Sequence, residues 1–153
     1  MDEAEVLLGS GEVVFERAVL SLQSWKMFDL GWMQATPSAE SIAPSVNVAV
    51  VVKHLGFWSL NGCRVVYMIS SEGRTERYGF AYGTLNNHAE EGEELFEVSL
   101  ERGTGNVFYR LRAASRPRAV LARLGYPYTR LLQSKFRADS CRRMKQAVND
   151  ART

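Results

Sequence analysis

The chain has 153 residues, 46% of them hydrophobic and 24% charged, and its formal net charge is +2. These values are typical of one soluble globular domain spanning residues 1–153, and nothing in them indicates a disordered chain. The longest apolar run, around residues 46–52, is far shorter than the roughly 18 residues that would predict a membrane span. The acidic N-terminus also lacks the basic start of a secretory signal.

The two cysteines, Cys63 and Cys141, lie far apart in the sequence and form no closely spaced pair. Such thiols are typical of a reducing compartment rather than of a disulfide framework, so we expect a cytoplasmic protein. No nucleophile elbow, phosphate-binding loop or dinucleotide motif is present, and no cofactor is predicted.

The charges are divided unevenly along the chain. Residues 1–109 carry 7 Lys and Arg against 15 Asp and Glu, a net charge of −8, whereas residues 110–153 carry 12 against 2, a net charge of +10. A basic end can meet an acidic partner or a membrane surface. The simpler interpretation is that the two parts pack together and neutralise each other. The arginines at 110, 112, 116 and 118 lack interleaved aromatic residues, so nucleic-acid binding is not expected.

A helix is predicted over Val13–Trp25, with Ser10 or Gly11 as its cap. Its apolar residues recur at three- and four-residue spacing, and acidic residues occupy the first turn, where the helix dipole favours them. The helix is amphipathic and should pack on a sheet.

The apolar period then changes from 3.6 to 2, which predicts about six strands joined mostly by short turns, with residues 56–62 as one turn. This pattern favours an antiparallel meander. The predicted strands cover residues 28–35, 45–54, 63–70, 77–85, 92–101 and 107–115.

The C-terminal part returns to helical spacing. Pro117 is placed at the first position of a helix that Leu121 and Leu124 continue, and Gly125 and Pro127 predict a break. A long helix should run from Pro127 to Val148. Its predicted apolar stripe consists of Leu131, Leu132, Phe136, Met144 and Val148.

The order of helix, strands and long helix predicts an α+β fold in which a curved antiparallel sheet is covered by the final helix. Such an arrangement resembles the helix-grip fold of START-type lipid-transfer domains and of the birch-pollen allergen. Members of that group usually open with a strand before the first helix.

Five segments are similar to a plant and bacterial family known as uncharacterised protein family 0548, or domain of unknown function 1990. They are LGSGEVVFERA, SWKMFDLGW, CRVVY, YGFAYGTLNNHAEEGEELFEV and SRPRAVLARLGYPYTRLLQSKFRADS. The resemblance extends from about Leu7 to Val148 and implies a helix-grip-like fold without implying an activity. Longer members carry an upstream segment, which could supply the opening strand.

One strand has a face without bulky side chains. Gly79, Ala81 and Gly83 alternate with Tyr78 and the other aromatic residues of YGFAYGTL. We expect the small residues to face the final helix, where they would permit either close packing of that helix or a ligand cavity.

Two polar residues continue apolar rows and are the strongest candidates for a pocket. His54 ends a row of alternating valines, and Glu94 extends the row of Phe96 and Val98. A carboxylate or an imidazole that faces inward needs a partner, unless it lies at a wet strand end. His88 has glutamates nearby but no cysteine, so no metal site is predicted, although a carboxylate site for a hard cation stays possible.

These patterns lead to two hypotheses. The first is a non-catalytic protein that binds a small hydrophobic or amphipathic ligand, lipid-like in character, between sheet and helix. Its expected site residues are His54, Trp58 at the pocket mouth, Tyr67, Gly79, Ala81, Gly83, Glu94 and Tyr109. The alternative is an enzyme on the same fold, with His54 and Glu94 as an acid–base pair.

Overall fold

The computed structural model describes residues 1–85, 90–117 and 125–151, and it contains a seven-stranded antiparallel sheet with two helices. The strands are β1 Asp2–Ser10, β2 Met33–Pro37, β3 Asn47–His54, β4 Phe57–Ser71, β5 Thr75–Thr84, β6 Glu90–Glu101 and β7 Asn106–Pro117. The helices are α1, Glu12–Gln23, and α2, Tyr126–Asp150, with a short 3-10 helix at Lys26–Phe28.

The sheet order is β1-β7-β6-β5-β4-β3-β2, so each strand from β2 to β7 pairs with its neighbours in the chain. Only β1 joins a distant partner, β7. The predicted architecture of a sheet with an N-terminal and a long C-terminal helix is therefore confirmed, with one more strand than the sequence indicated.

The additional strand is β1, which pairs with β7 at the edge of the sheet. Ala4, Val6 and Leu8 face the core, whereas Glu3 and Glu5 point outward. This alternation is that of a strand with one face buried. The opening strand expected of the fold is thus supplied by Asp2–Ser10.

The core is built mainly from aromatic and branched side chains on the inner face of the sheet. The ring of Phe28, from the 3-10 helix, lies 5.3 Å from that of Phe96 on β6 and 5.2 Å from that of Phe136 on α2. α1 contributes the buried residues Val14, Phe15, Ala18, Ser21 and Leu22. These contacts hold both helices on the same side of the sheet.

Four residues at four-residue spacing fix α2 to this core. Phe136, Ser140, Met144 and Val148 are all at most 5% exposed. They lie on one face because i, i+4 positions are neighbours on a helix. Leu131, predicted to belong to the stripe, is instead 65% exposed, since it precedes the part of α2 that is sealed onto the core.

Two further boundaries differ from the sequence prediction. Pro117 is the last residue of β7 and does not begin a helix, while Leu121 and Leu124 lie outside the described residues. The sequence predicts a turn at residues 56–62, but the turn in the structure consists of Leu55 and Gly56 alone, because β4 begins at Phe57.

The acidic and basic parts of the chain pair with each other, as the simpler interpretation of the charge distribution predicts. Arg110 on β7 forms ion pairs with Glu3 and Glu5 of β1 and with Glu97 of β6. Ion pairs also join α2 to the N-terminal part of the chain, namely Arg130 and Arg137 with Asp2, and Arg143 with Asp29.

Candidate functional site

The two faces of β5 have the opposite orientation from the one predicted. Phe80 and Tyr82 belong to the buried core, on the side where the helices pack. Gly79, Ala81 and Gly83 therefore face away from α2, and the prediction that they make space beneath the helix is wrong. The physical reason is volume, because the curved sheet needs large side chains to fill the space between it and the helices.

On the outer face, the backbone of β6 explains one of the glycines. A Cβ atom at Gly79 would overlap the carbonyl oxygen of Phe96 and lie 3.0 Å from the Cα of Glu97. At Gly83 the nearest neighbour of the same atom would be the side chain of Val66, at 3.3 Å, and the next, the Gly92 carbonyl oxygen, would be at 3.8 Å. Gly79 thus permits the close approach of a neighbouring strand, one of the two meanings of a glycine within a strand.

A short hydrogen bond lies on the inner face of the sheet between β5 and β6. The Tyr82 hydroxyl donates to the Glu94 carboxylate at 2.5 Å. Tyr82 is 5% exposed, whereas Glu94 is only partly buried. Burial raises the pKa of Tyr82 well above its usual value, and the charge of Glu94 adds to the effect. The tyrosine therefore stays protonated and acts as a hydrogen-bond donor.

Cys63 on β4 lies on the same face as this pair, two residues before Val65, which is the β4 partner of Tyr82. Its thiol is 1% exposed, and burial together with the charge of Glu94 raises its pKa to about 12. A thiol with such a pKa is protonated at neutral pH and is a poor nucleophile. The cysteine thus forms part of the apolar floor beside Glu94.

A second polar group lies on the same inner face, between β3 and β4. His54 Nε2 is 3.2 Å from Ser59 Oγ, and Asn61 Nδ2 donates to Ser59 Oγ at 3.3 Å. The ring of Tyr128, in the first turn of α2, lies 6.1 Å from that of His54. All four side chains are half-buried, so each is partly accessible to solvent.

The inner face is closed at one end and more open at the other. From Phe136 onward α2 buries a residue at every fourth position, whereas none of its described side chains from Pro127 to Lys135 is buried. Tyr128 and the polar group around Ser59 lie at this second end. The half-exposed polar side chains are therefore placed where α2 is least tightly packed.

The remaining predicted site residues are separated by the sheet. Tyr109 faces inward, is 0% exposed and bonds Ser140 Oγ of α2 at 2.8 Å, so it joins the helix to the sheet. Tyr67 lies on the outer face, where its hydroxyl donates to Glu93 at 2.9 Å. Trp58 is also on the outer face and is 59% exposed.

The predicted acid–base pair is not formed. His54 bonds Ser59, while Glu94 accepts from Tyr82. In the sheet, His54 pairs with Phe57 of β4. Glu94 pairs with Tyr82, which in turn pairs with Val65 of β4. Phe57 and Val65 are eight residues apart, which corresponds to roughly 26 Å along the strand. Proton transfer between His54 and Glu94 would need direct or water-bridged contact.

Within residues 1–85, 90–117 and 125–151, no group of three or more His, Cys, Asp and Glu side chains is arranged to hold a metal ion. His88, around which the sequence analysis considered a metal site, lies outside these ranges. In the same part of the chain, no helix is both long and apolar enough to cross a membrane.

A separate groove of about 490 Å³ lies on the outer side of α1, against the turn between β4 and β5. Its carboxylates Glu12 and Glu76 are both paired with Arg102. Its lining also includes Glu16, Arg77 and Tyr78, and it shares no residue with the Tyr82–Glu94 pair or with the polar group around Ser59.

Sequence reasoning missed Tyr82, Ser59 and Asn61 as inner-face polar residues. Tyr82 was recognised as an aromatic residue of an alternating strand, but the alternation does not tell which face meets the helices. Ser59 and Asn61 were assigned to a turn. The period-two pattern of Phe57, Ser59, Asn61 and Cys63 was the available signal.

The topology and the long helix across the concave face define a helix-grip fold, and solved structures share it. A hypothetical protein from Helicobacter pylori matches with a TM-score of 0.60 at 12% identity, covering 91% of this chain and 83% of its own. A norcoclaurine synthase point mutant from Thalictrum flavum, in complex with a transition state analogue, also matches with a TM-score of 0.60, at 10% identity, over 99% of this chain and 95% of that one. Ara h 8.0201 gives a TM-score of 0.58 at 13% identity, over 97% of each chain.

The chain belongs to the family described as Domain of unknown function (DUF1990), whose model matches residues 1–143. A UPF0548 protein of Dictyostelium discoideum is 37% identical, over 97% of this chain and 72% of its own length. A UPF0548 protein of Arabidopsis thaliana is 34% identical over 97% of this chain and 73% of its own. The family resemblance seen in the sequence is thus confirmed, and it brings no activity with it.

Proposed function

We propose that the chain is a non-catalytic binding domain for a small hydrophobic or amphipathic molecule held between the concave face of the sheet and α2. The observation that carries this proposal is the half-buried Glu94 carboxylate, which lies on the concave face beside the buried side chains of Cys63 and Val65. Pockets of this kind are mostly apolar, with a few polar groups that orient the ligand.

The chemistry of the inner face indicates the polar end of such a ligand. The Tyr82 hydroxyl donates to Glu94, so this carboxylate acts as a hydrogen-bond acceptor on the inner face. A ligand donor such as a hydroxyl or an amine would suit the carboxylate, whereas a ligand carboxylate would be repelled. The neighbouring Cys63 and Val65 supply apolar contacts.

The fold supports the same class of function. The norcoclaurine synthase structure holds a transition state analogue, so a domain of this shape can enclose a small molecule. At 10% identity the likeness carries the fold and no residue role. The enzyme alternative loses its geometric basis here, because His54 and Glu94 do not form a pair.

Native mass spectrometry of the purified protein should show a bound apolar species, or added monooleoylglycerol should raise the melting temperature more than a fatty acid does. Glu94→Gln should weaken binding about tenfold, since a hydrogen bond to a charged group is worth roughly 1.5–3 kcal/mol.

Glu93→Gln is the matched control, because Glu93 is adjacent in sequence but lies on the outer face with Tyr67. It should leave binding unchanged. A protein that carries no species, and whose melting temperature no amphipathic molecule raises, would disprove the proposal. Equal effects of the two substitutions would place the ligand elsewhere.

A further inference from the structure

The hairpin between β3 and β4 ends in a cluster of exposed apolar side chains. Leu55 is 75% exposed, Phe57 72%, Trp58 59% and Leu60 64%. We call residues 55–60 the hairpin tip. Single exposed apolar residues are common on protein surfaces, but a contiguous cluster usually marks an interaction site.

The hairpin tip projects beyond the body of the sheet. β4 pairs with β3 from Phe57 onward, but its pairing with β5 runs only from Cys63 to Ser71. On the other side, β3 pairs with β2 as far as Val52, which lies opposite Ser59, so only the segment from Lys53 to Trp58 is two-stranded. This segment has apolar side chains on both of its faces, since Phe57 alternates with Trp58. A convex apolar segment of this kind can insert into the interface of a lipid bilayer more readily than it can pack against a flat protein surface.

The turn itself is unfavourable for its sequence. Leu55 and Gly56 have φ angles of 51° and 79°, so both central residues of the two-residue turn are left-handed. Turns with this geometry prefer Asn-Gly, because a branched apolar residue is strained at positive φ. The backbone is therefore strained at Leu55, and this residue lies in the turn at the end of the hairpin.

The charges around the hairpin tip identify the kind of surface it would meet. No Asp or Glu occurs between Glu40 and Glu72, a stretch that contains Lys53 and Arg64. Lys53 lies directly beside Trp58, with its Nζ 5.6 Å from the ring centroid. Of these two, Lys53 is at the hairpin tip, while Arg64 pairs with Asn47 at the other end of β3. Exposed Trp, Phe and Leu beside a lysine, in a stretch of sequence without acidic residues, are typical of segments that enter the headgroup region of anionic bilayers.

We propose that the hairpin tip docks the protein on an anionic lipid bilayer, with Leu55, Phe57 and Trp58 in the interface and Lys53 at the phosphates. Leu60, on the same face as Trp58, extends the inserted surface. The proposal does not depend on any ligand bound within the sheet. It assigns the contact to the hairpin rather than to the basic side chains of α2, several of which are paired with aspartates.

Co-sedimentation with vesicles tests this proposal. The protein should bind vesicles of phosphatidylcholine mixed with phosphatidylserine, bind less to phosphatidylcholine alone, and be released by added salt. Leu55→Asn should reduce binding about tenfold, because burying a leucine side chain in an apolar medium favours association by about that factor or more. The same substitution suits the turn, so the melting temperature should stay equal or rise.

Leu20→Gln is the control, since Leu20 is 61% exposed on α1 and lies outside the hairpin. It should leave vesicle binding unchanged. No sedimentation of the wild-type protein with either vesicle, or equal binding by Leu55→Asn, would overturn the proposal. So would a concentration-dependent dimer in gel filtration that Leu55→Asn dissociates, because the hairpin tip would then bind a second copy.

Discussion

Replacing Gly79 by alanine should destabilise the protein, because the added methyl group would lie against the β6 backbone. Its nearest neighbours would be the Phe96 carbonyl oxygen and the Glu97 Cα, and backbone atoms cannot rotate away as a side chain can. Overpacking of this kind costs about 1–3 kcal/mol. Alanine also stabilises the folded state by about 0.4–1 kcal/mol, because it lowers the conformational entropy of the unfolded chain relative to glycine.

Because the neighbours of the methyl group are backbone atoms, we expect a cost in the upper half of that range, and after subtracting about 1 kcal/mol the net loss in the free energy of unfolding for Gly79→Ala is about 1–2 kcal/mol. For a domain of this size, that loss corresponds to a melting temperature lower by about 2–8 °C. Urea denaturation followed by circular dichroism measures the free energy, and a thermal melt measures the temperature shift.

Gly83→Ala serves as the control on the same strand and the same face. Its methyl group would lie closest to the Cγ2 of Val66, a side chain that is 51% exposed and free to move, and its contact with the Gly92 carbonyl oxygen, at 3.8 Å, would be an ordinary one. The free energy of unfolding should change by less than about 0.5 kcal/mol, as for other surface substitutions. If the two variants were equally stable, close approach of β6 would not be the reason for a glycine at position 79.

Further predictions concern the contacts of α2 and the buried thiol. Ser140→Ala should lower the free energy of unfolding by about 1–3 kcal/mol in urea denaturation, because it leaves the buried Tyr109 hydroxyl without its partner. Adding Tyr109→Phe should recover part of the loss. A Ser140→Ala variant as stable as the wild type would contradict this reasoning. The hydrogen bond from Lys135 lowers the pKa of Asp139 below 3.8, so its contribution is present above that pH and is lost as the pH falls through the lowered pKa. Asp139→Asn should therefore melt at a lower temperature than the wild type at pH 7, with the difference closing in acid; a gap that stays constant from pH 7 to pH 2 would be the opposite result. Cys63, with a pKa of about 12, should react with a thiol reagent far more slowly in the folded protein than in guanidinium chloride, and equal rates would show that it is accessible.

The sequence predicts the layers of this fold well because they depend on periodicity. The period-two valines of β3 and the helical spacing of Phe136, Met144 and Val148 specify which side chains are buried within each element. The same signal was present in β1, where Ala4 and Val6 alternate with glutamates, but the short acidic segment was not recognised as a strand.

Periodicity could not specify how the elements face each other. The alternation in β5 separates small from aromatic side chains, yet only the volume of the assembled core decides that Phe80 and Tyr82 meet the helices. The extent of β4 was hidden for a different reason, because its turn contains Leu55 where a hairpin of this type usually has asparagine. The candidate site was therefore predicted only in part, through His54 and Glu94.

The pairing of β1 with β7 has a consequence for the order of assembly. β2 to β7 can form successively from neighbouring hairpins, whereas β1 must reach a strand from the other end of the chain, which is the slowest kind of contact to form. We expect β1 to associate last and to open first. The ion pairs of Arg110 with Glu3 and Glu5 would form in this last step and hold β1 against β7. Native-state hydrogen exchange would show this as earlier exchange of the Val6 amide than of the Val98 amide in β6, and the reverse order would exclude it.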